Sequence, residues 1–419
     1  MKKTMIAAGL TMALSAPAFA TNGMFVHGIG QSAKGSGGAG IAYPQDSLAA
    51  GTNPAGMSFI GNRADGGLEI FIPDRSLEAN ASDGWAGSIP TPVGPFPYDF
   101  SGDVDGNTPS AFLVPEGGYN MDMPNGSAWS FGISAFGNGG MNATYDSHPQ
   151  LEFMALDPRT GVTNTSAKID LLQAFVMPTA SYKINENHAI GVSLIVAWQS
   201  LELINAAFPG TQNGAGHQNS WGVGGKIGWQ GRINDYITLG ATYQSRISMS
   251  KMDDYKDALA ADDGSLDIPA TAGVGIAINA TEQLDILFDV VWINYSDDSG
   301  IMGMSTDIGG FGWDDQTVYK LGFVYEYSND LILRAGYNYA ENPLPNSGPL
   351  DGFVSTVVPA TVEHHLTLGF TKVINEDFSI TGSYMHAFEN DHKAGGPFPP
   401  PLTASMYQNS VGLSLNWKL

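Results

Sequence analysis

Val411-Gly412-Leu413-Ser414-Leu415-Asn416-Trp417-Lys418-Leu419 alternates strictly between apolar and small or polar residues. A period of two sends the two sets to opposite faces of a β-strand. Ile190/Val192/Leu194/Val196/Trp198, Trp221/Val223/Ile227/Trp229, Leu284/Ile286/Phe288/Val290/Trp292 and Leu331/Leu333/Ala335/Tyr337/Tyr339 repeat the pattern. Fourteen candidate strands follow, near 64–73, 110–122, 128–136, 168–184, 187–204, 221–232, 235–249, 268–280, 284–296, 317–328, 330–340, 361–374, 377–388 and 405–419. One greasy face on every strand suits a closed antiparallel barrel with lipid outside and water inside. Pro115, Pro178 and Pro269 each lack a ladder donor, which implies a bulge or a strand end.

The connections alternate too. Asn185-Glu186-Asn187, Ile233-Asn234-Asp235, Ser328-Asn329-Asp330 and Ile374-Asn375-Glu376-Asp377 are tight polar turns. Between them come long segments such as 74–109, 137–167 and 297–316. Outer-membrane barrels have short periplasmic turns and long external loops. A soluble β-sandwich would alternate along its strands but has no reason to alternate its loop lengths. On this orientation Trp198, Trp221, Trp292 and Tyr339 sit near the outer rim. Trp129, Trp229, Tyr236, Tyr327 and Trp417 fall near the inner one, as two aromatic girdles should.

Residues 1–20 have the form of a secretory signal, with basic Lys2 and Lys3, an apolar Met5–Leu14 and the small-residue site Ala18-Phe19-Ala20. That apolar run is too short to span a bilayer, and no later run reaches 18 residues. A bacterial outer-membrane, multi-pass location follows. The chain has no cysteine, so disulfides and lipoprotein anchoring are excluded. A net charge of −23 argues against nucleic acid as a partner.

Residues 21–63 break the strand pattern. They are rich in glycine and run through Asn53-Pro54-Ala55. Such a segment ahead of the first strand is expected to fold into the lumen as a plug. The domain plan is then a signal at 1–20, a hatch at 21–63 and a barrel over 64–419. Pro54 fixes its own φ and biases Asn53 to extended geometry, so this trio reads as a rigid turn bracing the hatch. The glycine cluster 28–40 is no nucleotide loop, since no strand precedes it and no Gly-Lys-Ser/Thr follows. No Gly-x-Ser-x-Gly elbow and no credible Ser–His–acid set occurs, which argues against an enzyme. Neither a metal nor a cofactor is expected: His364 and His365 face opposite ways, and the other histidines lack ligand spacing.

The long loops are acidic, and Arg75, Arg159, Lys251, Lys256 and Lys393 are their only basic residues. They also carry apolar clusters, among them Ile301-Met302-Gly303-Met304 and Phe311-Gly312-Trp313. Loops in water have no stability reason to be this greasy. Either they pack together as a cap, or Ile301, Met302, Met304, Phe311 and Trp313 capture a hydrophobic ligand. Parity places Lys320 and Arg334 inside the barrel. They are candidate partners for a ligand carboxylate, in competition with interior Asp and Glu.

At this point the chain resembles the FadL/TodX family of outer-membrane transporters for long-chain fatty acids and other hydrophobic compounds. The resemblance rests chiefly on Gly35-Ser36-Gly37-Gly38-Ala39-Gly40-Ile41-Ala42, Asp46-Ser47 and Asn53-Pro54-Ala55-Gly56-Met57, which look like the family's hatch. Trp221-Gly222-Val223-Gly224, Tyr243-Gln244-Ser245-Arg246 and Tyr384-Met385-His386 are similar to further landmarks. It implies a monomeric fourteen-stranded barrel set in outer-membrane lipid and lipopolysaccharide, importing a hydrophobic small molecule by passive diffusion. It also implies lateral exit at a kink in the third strand, where Gly137-Asn138-Gly139-Gly140 ends the expected strand. Two departures are the short 205–220 loop and the terminal Leu419. The alternative from another class is an adhesin or surface-structural barrel whose acidic loops bind divalent cations.

Overall fold

The structure is a computed structural model that describes residues 22–91, 94–204, 211, 213–259, 263–296, 310–345, 351–394 and 400–419. The expected signal at 1–20 and loop residues Ile301, Met302 and Met304 lie outside the described residues. No described helix is long and apolar enough to cross a membrane.

Fourteen antiparallel strands close a barrel. They are β1 (Arg63–Ala79), β2 (Phe112–Asp122), β3 (Trp129–Tyr145), β4 (Ala167–Lys183), β5 (His188–Ile204), β6 (Gln218–Arg232) and β7 (Ile237–Gln244). After these come β8 (Thr271–Thr281), β9 (Leu284–Ile293), β10 (Gln316–Ser328), β11 (Leu331–Tyr339), β12 (His364–Asn375), β13 (Phe378–Ala394) and β14 (Leu402–Lys418). Each strand pairs with its neighbour in sequence. β14 returns to β1 with Arg63 opposite Lys418, so no sheet edge is left along the seam. In lipid that closure is obligatory, because an open edge would strand backbone donors and acceptors without water.

The period-two reading holds along β14: Val411, Leu413 and Trp417 are exposed on the outer face, while Ser410, Ser414 and Asn416 are buried inside. Several short turns are set by asparagine. Asn185 accepts from the amides of Asn187 and His188, and Asn234 from those of Tyr236 and Ile237, all at 2.9 Å. These Asx turns reverse the chain without a bulky side chain at the bend.

Strand ends differ from the sequence reading at the long-loop end. β1 runs on to Ala79 and β13 to Ala394, with a register shift between Ala387 and Asn390. There the outward residues are polar and pair with one another, so the apolar alternation that marks a strand in lipid disappears. β7 is shorter than expected, and Ser248–Met249 pairs separately with β6. The 74–109 connection contains a hairpin, Ala86–Thr91 with Gly94–Asp99.

The expectation that the third strand stops at its glycines is corrected. β3 continues through Gly137-Asn138-Gly139-Gly140 to Tyr145, with a bulge at Asn138 in its pairing with β4. Its ladder to β4 resumes past that bulge, from Gly139 opposite Gln173 to Tyr145 opposite Ala167.

The loops pack into one apolar cap that includes Tyr145, Leu151, Leu203, Tyr255, Tyr295 and Val354. Phe311 and Trp313 are buried in this cap, so packing accounts for the grease at both positions. A short helix, α1 (Pro149–Ala155), follows buried His148 in the β3–β4 loop, and α2 (Asp351–Val357) lies in the β11–β12 loop. Burial alone holds the His148 imidazole down to about 3, and its Nε2 lies 3.1 Å from Thr356 Oγ1.

Candidate functional site

Residues 22–62 lie within the barrel and bond to strands all around its wall. The Lys34 ammonium sits between the Glu69 and Glu116 carboxylates of β1 and β2. Gln31 donates to Glu116 and accepts from Ser383 of β13, at 3.0 and 2.6 Å. The Gly40 and Ile41 amides donate to the Asp289 carboxylate of β9, at 2.7 and 3.0 Å. Ser47 accepts through its carbonyl from Ser134 of β3 at 2.7 Å. A buried ion pair carries a desolvation cost that only full hydrogen bonding offsets, so these contacts act as a set.

The Asn53-Pro54-Ala55 turn braces this inner segment against β6. Asn53 is extended at φ −145° and caps the 3₁₀ turn Pro54–Phe59 by accepting from the Ala55 amide. Its amide group donates to the carbonyls of Ile41 and Trp229, at 2.7 and 3.0 Å. Such close approach needs glycine in the wall. A Cβ on Gly228 would stand 1.9 Å from Asn53 Oδ1, and one on Gly191 would stand 2.3 Å from the Pro54 carbonyl carbon.

Of the two cations placed inside by parity, Arg334 donates to Gln45 Oε1 of the inner segment and to Thr371 Oγ1, at 2.8 and 2.7 Å. Lys320 donates to the His27 carbonyl at 2.9 Å and lines a cavity of about 90 Å³ between inner segment and wall. Phe25, Ile29, Phe136, Phe175 and Val291 supply apolar surface there. A third cation, Lys226, also lines it and donates to the Gly51 carbonyl. Asp289 is the one carboxylate among its described lining residues. Sequence reasoning missed Lys226. It lies on the inward face of β6 between Gly225 and Ile227, and its inward parity was the available signal.

Asn138 lies at one side of this cavity, where the wall itself is incomplete. β2 and β3 pair from Asp122 opposite Ser130 to Glu116 opposite Phe136, and pairing stops at Pro115, which has no N–H to give. Beyond that point Gly139 and Gly140 adopt φ of +154° and +155°, a region that favours glycine. The freed edge of β3 bonds inward: the Val26 amide donates to the Asn138 carbonyl at 3.1 Å and the Gly140 amide to the Met24 carbonyl at 3.0 Å. Above the gap, Arg75 of β1 reaches across to the Asn142 carbonyl and Oδ1, at 2.7 and 2.9 Å.

Elsewhere, Asp170, Glu202 and His217 bring their ligand-type atoms within 4.8 Å of one another on the upper wall, a cluster invisible in their spacing. Lys168 already forms an ion pair with Glu202 there.

The sequence profile of the family described as "Outer membrane protein transport protein (OMPP1/FadL/TodX)" matches residues 7–396. The chain belongs to this family. Its members are outer-membrane transporters of hydrophobic compounds rather than enzymes. Solved structures share the fold at low identity, and three of them illustrate it. The Pseudomonas putida toluene transporter TodX is 20% identical over 94% of this chain and 99% of its own, with a TM-score of 0.67. A Pseudomonas aeruginosa FadL homologue is 17% identical over the same shares, also at 0.67. The Ralstonia pickettii toluene transporter TbuX is 18% identical over 93% and 99%, at 0.63. A search of curated proteins found no match.

Proposed function

We propose that this FadL/TodX-family barrel imports a hydrophobic molecule with an anionic head, of the long-chain fatty acid class. In this reading residues 1–20 direct export, 21–63 form the hatch, and 64–419 form a monomeric barrel with its long loops outside. Cargo is captured near the apolar cap, held by its head beside the hatch, and released sideways at Gly137–Gly140 into the membrane. Burial is worth roughly 0.8 kcal/mol per CH₂. An acyl chain that avoids the aqueous periplasm therefore avoids a loss on the order of 10 kcal/mol.

The observation that carries this reading is the charge balance of the cavity. Lys226 and Lys320 line it with Asp289 as their one described counter-charge, and among the described residues neither lysine has a carboxylate at ion-pair distance. A buried cation without an anion is costly, and a ligand carboxylate would remove that cost. Arg334, already bonded by Gln45 and Thr371, is the weaker partner.

The small cavity and the two toluene transporters among the similar structures support a second reading. An engineered cavity of about 150 Å³ holds one benzene ring, so about 90 Å³ takes a head group and leaves an acyl tail outside, under the loops. A monoaromatic hydrocarbon is the smaller guest and needs less widening of the cavity than an acyl chain, and TodX and TbuX are toluene transporters.

Uptake of radiolabelled oleate and toluene by cells with and without the chain separates these readings. Chain-dependent oleate uptake, reduced at least about tenfold in a Lys226→Met/Lys320→Met double variant, is expected from loss of a charge-assisted contact. Toluene uptake without oleate uptake would select the second reading. Uptake of neither would favour the surface-structural alternative.

A further inference from the structure

At the long-loop end, β4 and β5 carry a row of charge on the outer face of the wall. Ile169, Leu171, Leu201 and Leu203 are buried in the loop cap. A period of two therefore turns Lys168, Asp170 and Glu202 to the other face. Asp170 and Glu202 stand directly opposite each other in the β4–β5 register. Like charges opposed in this way destabilise a sheet, so the pair calls for a cation. β5 and β6 pair as far as Leu201 opposite Gln218, and one further step in that register brings His217 beside Glu202. Two strands and the end of the β5–β6 loop thus place three metal-ligand side chains in one row.

The side chains converge. His217 Nε2 lies 3.5 Å from Glu202 Oε2 and 3.6 Å from Asp170 Oδ2. Ser200 Oγ meets His217 Nδ1 at 3.2 Å, on the side of the ring away from the carboxylates. Asp170 Oδ1 is buried and has no hydrogen-bond partner among the described residues. Lys168 is the resident counter-charge: it forms an ion pair with Glu202 and lies 3.8 Å from Asp170 Oδ2. Ligand atoms about 2.0–2.1 Å from a tetrahedral Zn²⁺ stand roughly 3.3–3.4 Å from one another. The two nitrogen–oxygen distances are already within about 0.3 Å of that spacing.

We propose that Asp170, Glu202 and His217 bind a divalent cation of the zinc class on the outer wall, displacing the Lys168 ammonium into water. One imidazole nitrogen with two carboxylate oxygens is a borderline donor set, which suits Zn²⁺ better than Ca²⁺ or Mg²⁺, whose ligands are oxygens. A dication neutralises both opposed carboxylates, whereas Lys168 neutralises one. Ser200 is a positioning residue that orients the imidazole without touching the metal. The bound ion ties β4, β5 and the β5–β6 loop together at one point, whatever cargo the barrel carries.

Calorimetric titration of ZnCl₂ into the untagged, chelator-treated barrel in detergent tests the site, with heat modifiability as the check on folding. One Zn²⁺ per chain is expected, and equal concentrations of Ca²⁺ or Mg²⁺ should not displace it. Ser200→Ala should weaken binding about 10-fold, and His217→Ala and Glu202→Gln by more. Lys168→Met should bind Zn²⁺ more tightly, because no ammonium competes. His217 lies ahead of β6 and is half-exposed, so its variant tests the site where Glu202→Gln does not fold. No stoichiometric Zn²⁺ site in the unaltered barrel, an affinity unchanged in His217→Ala, or no gain in Lys168→Met overturns the proposal and leaves Lys168 as the standing partner of the two acids.

Discussion

The side-chain amide of Asn53 donates to the backbone carbonyl of Trp229 across 3.0 Å, binding a turn near the start of the chain to the wall 176 residues away. The same amide serves Ile41, and Asn53 Oδ1 serves the Ala55 amide. Asn53→Ala removes all three bonds, at a cost of about 1–3 kcal/mol for each group that is left buried and unsatisfied. That cost falls on the hatch, because the strand ladders do not use this side chain. Uptake should drop while the amount of folded barrel on a heat-modifiability gel is unchanged. Equal loss of both would reduce the turn to a structural role.

Lys34 is held by two strands, and bonds from Gln31 to Asn53 tie the hatch to many others. The hatch thus fills the lumen as a packed body. Removing residues 21–63 should convert a barrel of low conductance into an open pore in planar bilayers. Porin-like conductance of the intact protein would refute a sealing role.

Much of this architecture is readable because lipid imposes one rule on every strand. Ile190, Val192 and Leu194 must face hydrocarbon, so their period survives in the sequence, and Asn185 and Asn234 mark turns by a local mechanism. Above the membrane the rule lapses. Glu389, Asn390, Asp391 and Lys393 carry β13 past the expected end at 388, and nothing in their order announces a strand. The site is harder still. Asp289 is visibly an inward carboxylate, but its partners, the amides of Gly40 and Ile41, are almost 250 residues away.

The cap should loosen in acid through His148. Its ring is buried and neutral beside Thr356, with its pKa held down to about 3 against an ordinary 6.5. Between those values the undocked loop binds a proton that the docked loop does not. Docking is therefore at full strength above about 6.5 and weakens as pH falls toward 3, by about 1.4 kcal/mol per pH unit inside that window. Limited proteolysis of the 146–166 loop should speed up between pH 7 and pH 4.5, compared with a reference peptide under each condition. His148→Gln, which cannot take up the proton, should flatten that dependence. An equally steep dependence in His148→Gln would assign the effect to another group.

The side opening depends on two local refusals to form sheet. Pro115 cannot donate where β2 would go on pairing, and Gly139 and Gly140 take φ near +155°, where a β-branched residue is strained. Replacing both glycines with valine should drive β3 back to ordinary extended geometry, favoured by β-branched side chains. That change would withdraw the backbone groups now bonded to Met24 and Val26 and straighten the strand toward β2. Uptake should be lost while oleate still binds the purified barrel, because the cavity lysines on β6 and β10 are untouched. Pro115→Val, which restores a donor on the opposite lip, should act in the same direction and more weakly. Normal uptake by a correctly folded Gly139→Val/Gly140→Val double variant would sink the lateral route and leave passage down the barrel axis, through a hatch that must then move as a whole.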